Sequence, residues 1–79
     1  MADKAHYVLD QLPEHRHPIR ERMRVDQEFR SLCEDYGEAF EALRRWEGSD
    51  DSYRSARIEE FRRLLGELEA EILAELGTA

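Results

Sequence analysis

From Phe29 onward the apolar residues recur at spacings of three and four: Phe29, Leu32, Tyr36, Ala39, Leu43 and Trp46. That is the heptad pattern of helix-on-helix packing. It predicts one long helix from Pro18 to Glu47, roughly 45 Å at 1.5 Å per residue. Cys33 and Phe40 form a second stripe beside the first and widen the apolar face. One helix cannot bury a face of that width, so the rest of the chain must supply partners.

A second run, Ile58, Phe61, Leu65, Leu68, Ile72 and Leu76, repeats the same spacing and predicts a helix over about 52–76. Leu64 and Leu73 flank it on opposite sides. Gly66 costs about 1 kcal/mol relative to Ala in a helix interior, so it marks either a close helix approach or a tolerated residue. Between the two helices Gly48 is the natural left-handed terminator. Ser49, Asp50, Asp51 and Ser52 then offer turn chemistry and a new N-cap. A loop of about four residues, 48–51, favours an antiparallel hairpin. Gly77 ends the last helix and leaves a short tail.

Upstream, residues 3–12 predict a short helix with Asp3 as N-cap, Val8 and Leu12 on one face and Ala5 adjoining them. Ten residues are marginally helical alone, so this segment needs something to dock on. Pro13 and Pro18 disfavour helical geometry just before themselves and bound a hinge over 13–17. Pro18 suits the first turn of the long helix. Extending the long helix's seam backward from Phe29 gives Val25, Arg22 and Pro18, so the seam is lost before Val25. Ile19 and Met23 lie on another face. Residues 18–25 therefore pack against the N-terminal helix or another subunit.

The composition agrees with an all-α chain. Charged residues make up 39%, and Ala, Leu, Glu and Arg dominate. Seventy-nine residues form one small domain, 1–79, and a chain this short commonly gains stability by self-association. Cys33, Phe40, Leu64 and Leu73 exceed what one two-helix seam can cover, which predicts a homodimer or small homo-oligomer. The expected self-association surface is Phe29, Leu32, Cys33, Tyr36, Phe40 and Leu43 on the long helix. Phe61, Leu64, Leu65, Leu68 and Ile72 complete it on the last.

Charge sharpens the topology. Arg16, Arg20, Arg22 and Arg24 cluster near the start of the long helix, while Glu67, Glu69, Glu71 and Glu75 crowd the end of the last. Folding the chain back at 48–51 brings the two sets together, each exposed pair contributing about 0–1 kcal/mol. The net charge of −7 argues against nucleic acid and anionic lipid as partners. No apolar run approaches the ~20 residues that span a bilayer, and the N-terminus lacks the basic and apolar regions of a signal peptide. A soluble, cytoplasmic protein is expected.

Leu12-Pro13-Glu14-His15, the helix carrying Phe29, Leu32 and Tyr36, Glu47-Gly48 at the turn, and a Leu- and Glu-rich final helix resemble the YdcH-like family of small bacterial coiled-coil proteins. The resemblance covers about 9–76, and the LPEH run followed by Phe29 is its most specific part. The chain departs from the family's pattern at Glu38–Leu43 and at Gly66–Glu71. The family has no established biochemical activity, so the resemblance supports a helical fold and says little about chemistry.

Candidate chemistry is sparse. His6, His15 and His17 are the available metal ligands, but His15 and His17 at i, i+2 do not form the i, i+4 pair that binds zinc on a helix. Cys33, the single cysteine, precedes Glu34 and Asp35, which quiet a thiol. Asp50 and Asp51 cap the last helix or, with Trp46 and Tyr53 beside them, present a partner-binding tip. Trp46 and Tyr53 are expected to close the tip by packing across it. No convergent nucleophile, base or metal set is apparent, and no cofactor is implied. The sequence points to a non-enzymatic protein–protein interaction module. The competing readings are a hairpin regulator of RNA polymerase acting through Asp50 and Asp51, and a weak metal binder using the histidines.

Overall fold

The computed structural model describes residues 3–77; the tail past Gly77 and the ends of the 1–79 domain lie outside the described residues. It is all-helical. A 3-10 turn, Lys4–His6, runs into α1, Tyr7–Gln11, and a second 3-10 turn, Pro13–His15, leads into α2, Arg16–Val25. The two long helices are α3, Gln27–Glu47, and α4, Arg54–Glu75.

The long helix expected over 18–47 is thus two helices, and Asp26 divides them. Its backbone is extended (φ −133°, ψ 103°), and its Oδ1 accepts from the Phe29 N–H at 3.1 Å. A carboxylate that satisfies an orphan amide starts a new helix there. α2 begins at Arg16, so Pro18 lies within its first turn, where a missing N–H is harmless. The break also places Val25, expected at the seam's edge, in solvent at 84% exposure. Asp3 caps as expected, accepting from the Ala5 N–H at 3.0 Å.

α3 and α4 share the most extensive contact in the chain. Glu28, Phe29 and Leu32 border Glu71 and Glu75; Asp35, Glu38 and Ala39 border Phe61, Leu64 and Leu68; Glu47 borders Arg54 and Ile58. Early positions of α3 therefore meet late positions of α4. Phe29, Tyr36, Ala39 and Leu43 are buried together with Ile58, Leu65 and Ile72, while Leu32, Trp46, Phe61 and Leu68 pack around them half-buried.

The second stripe finds its cover inside the chain. Cys33 is fully buried, and Phe40 packs on Tyr7 and Tyr36 with ring centroids 5.1 and 6.5 Å apart. Both the first 3-10 turn and α1 lie on α3, and α2 packs on α1 and α3 with Ile19 fully buried. Leu73 shares a cleft with Leu12 and Pro13. The extra apolar width that argued for a second subunit is largely taken up by the N-terminal third.

Gly37 makes the close fit possible. A Cβ there would overlap the Lys4 carbonyl oxygen and stand 2.7 Å from its carbon. At Gly66 the same Cβ would meet nothing within 4 Å, so Gly66 marks no helix approach. Gly48 also differs from expectation, since its φ is −94°; the left-handed glycine is Gly77, at φ 74°.

Candidate functional site

Polar contacts pin the N-terminal segment onto α3. Tyr7 Oη donates to Glu41 Oε2 at 2.8 Å, Lys4 Nζ lies 3.6 Å from Glu38 and 3.7 Å from Glu41, and Arg30 Nη2 donates to Asp3 Oδ2 at 2.7 Å. Beneath them, burial pushes the Cys33 thiol up to about 12. A thiol that reluctant to ionise, with no exposure, is a packing residue and not a nucleophile.

Arg22 joins three helices. Its Nε donates to Asp26 Oδ2 at 2.9 Å, its Nη1 donates to the Glu75 carbonyl at 2.9 Å, and its Cζ lies 5.6 Å from the Phe29 ring centroid. The Arg22 guanidinium, followed by the Phe29 amide, holds the Asp26 carboxyl below its usual range. Of the four arginines expected to meet the terminal glutamates, Arg22 does so; Arg16 lies 3.8 Å from Asp10 and Arg24 3.4 Å from Glu21. The cause is the bend at Asp26, which carries the rest of α2 toward α1.

At the tip, Asp51 is occupied by the turn: Ser49 Oγ accepts from its N–H at 3.0 Å, and its Oδ1 accepts from the Tyr53 N–H at 2.7 Å. Arg54 donates twice to the Glu47 carbonyl, at 3.2 and 2.8 Å, and so satisfies the C-terminal end of α3. Asp50 is exposed. Trp46 packs against the core but Tyr53 is 66% exposed, so the two do not close the tip together as expected. Among the described residues no three His, Cys, Asp or Glu side chains form a group that could hold a metal ion. His6 bonds the Asp3 carbonyl of its own cap region and stacks on Tyr7.

What remains open is the flank of α3 and α4 opposite the N-terminal segment. An open groove of about 380 Å³ runs there, with Ala39, Phe61, Leu64 and Leu68 as its apolar lining and Asp35 and Glu38 on its rim. Leu64 is 39% exposed. Of the residues expected to self-associate, Phe29, Cys33, Tyr36, Leu43, Leu65 and Ile72 are consumed by the chain's own core. Phe40 is half-buried beneath Tyr7, and Leu32 lies beside Phe29 in the neighbouring cleft. Phe61, Leu64 and Leu68 are thus the members that line the open groove. Gly37, a glycine inside an apolar-striped helix, is the functional position that the spacing of apolar residues does not mark.

Among the described residues no helix is long and apolar enough to cross a membrane. No family model, curated protein or solved structure matches the chain.

Proposed function

We propose that this chain is a non-enzymatic interaction module of the YdcH-like kind, working in the cytoplasm, whose α3 and α4 form a helical hairpin that associates with copies of itself through a helix face. The groove lined by Ala39, Phe61, Leu64 and Leu68 is the observation that supports this reading. It is apolar at its base, lies along two long helices, and is left uncovered by the N-terminal segment that fills the other flank. Apolar edges framed by charge are the usual form of a helical interaction surface. The buried Cys33 thiol and the turn-bound Asp51 fit structural roles in this reading.

Molar mass by light scattering across a concentration series tests the proposal. A mass that rises from one chain toward two is the expected result. A single-chain mass at every concentration overturns self-association.

A further inference from the structure

α4 carries its charge in the wrong direction for an isolated helix. Residues 54–63 hold Arg54, Arg57, Arg62 and Arg63 against Glu59 and Glu60; residues 67–75 hold Glu67, Glu69, Glu71 and Glu75 with no base. The first turn has no acid and the last turn no base. A helix's own dipole favours acids at its N-terminus and bases at its C-terminus, so this gradient is unfavourable at both ends. The ends are relieved within the chain, Arg54 by the Glu47 carbonyl and Glu75 by Arg22. The middle is not. Among the described residues Glu67 and Glu71 have no ion-pair partner, and Arg57 meets its near neighbour Glu60.

The exposed edge of α4 has the spacing that would use this gradient. Arg57, Leu64 and Glu71 follow one another at intervals of seven and so lie on one face. Phe61 and Leu68 adjoin Leu64 on the groove side. We infer that the groove is occupied by a second copy of this chain, with the two α4 helices antiparallel about a two-fold axis at Leu64. That arrangement sets Leu64 against Leu64, and Arg57 of each copy beside Glu71 of the other, because the two positions are equidistant from the axis. A two-fold contact of this kind is self-complementary and closed, so it stops at a dimer. It also brings the basic half of α4 toward Asp35 and Glu38 on the rim of the groove. A parallel arrangement would instead align like charges.

The inference rests on the self-association reading and is tested separately from it by charge exchange, read as dimer Kd from sedimentation equilibrium. Arg57 and Glu71 are both exposed, and each substitution leaves the core intact. Arg57→Glu and Glu71→Arg are each expected to raise Kd about tenfold, since every substitution acts twice in a two-fold dimer. Combining them is expected to restore the wild-type value. Within one helix the two positions stand roughly 21 Å apart, so restoration can only pass between copies. As a second readout, Leu64→Cys is expected to oxidise to a covalent dimer while Arg57→Cys is not. A dimer that ignores both reversals leaves self-association standing and overturns this interface. A monomer at every concentration overturns both, and covalent dimers through position 57 would show a parallel pairing instead.

Discussion

On one flank of α3, Cys33, Gly37 and Phe40 lie beneath the first 3-10 turn, α1 and Tyr7; on the other, Ala39 with Phe61, Leu64 and Leu68 of α4 borders solvent. Both flanks are apolar stripes beside the same central seam. They differ in what the chain can bring to them. The covered flank has a glycine where backbone must approach backbone, and polar partners (Glu41 for Tyr7, Arg30 for Asp3) that fix the arriving segment. The open flank has larger side chains and an acidic rim. A stripe's width in sequence therefore says that a partner is needed, but not whether the partner is internal.

Four experiments test this contrast. The largest effect is expected in thiol chemistry. Burial moves Cys33 from an ordinary 9.0 to about 12, which lowers its thiolate population near pH 8 by about a thousandfold. Labelling by a thiol reagent should be slower than in the denatured chain by at least that factor, and rapid labelling would mean that the N-terminal cover opens readily. The same shift bears on alkaline stability: its contribution is complete below about pH 9 and is lost as pH rises toward 12, because the unfolded thiol ionises first.

Next is a pair of truncations followed by urea unfolding. Ile19→Ala, in the covered flank, should cost about 2–5 kcal/mol, whereas Leu64→Ala at the open edge should cost less than about 1 kcal/mol at concentrations where the chain is monomeric. Equal costs would mean that the two flanks are equally covered.

The two interior glycines give a third contrast, with opposite signs. Gly66→Ala should stabilise by about 0.5–1 kcal/mol, since helix propensity improves and nothing obstructs the methyl group. Gly37→Ala gains the same propensity but drives a Cβ into the Lys4 carbonyl, and should be destabilising by about 1–3 kcal/mol. A stabilised Gly37→Ala variant would show that the first turn does not sit on α3.

The smallest effect concerns the break between α2 and α3. Arg22 and the Phe29 amide lower the Asp26 carboxyl below 3.8, so its contribution is present above that pH and fades as pH falls through the folded-state value. Asp26→Asn retains a capping oxygen but has no charge to lose. Its acid unfolding curve should flatten relative to wild type, while Asp26→Ala should lower the melting temperature at neutral pH as well. Identical melting of all three would argue that the break at residue 26 does not depend on this cap.

The all-helical class, the seam residues of α3 and α4, the cap at Asp3 and the need to cover a second stripe were legible in the residues alone, because spacings of three and four bind a residue to a face wherever the helix goes; the division of the long helix at Asp26 was not. The sequence also signalled that residues 18–25 pack away from the main seam, since Arg22 and Pro18 interrupt the repeat there. Tertiary structure decided the rest. Asp26 reads as an ordinary polar residue until its carboxylate is seen on the Phe29 amide, and Gly37 reads like Gly66 until Lys4 is placed above it. The Tyr53 ring stays in solvent because the Tyr53 amide on Asp51 and Arg54 on the Glu47 carbonyl complete the turn without it. Local periodicity fixes which way a side chain faces along its own helix. What stands opposite depends on where a distant segment returns, and that is decided by packing across the whole chain.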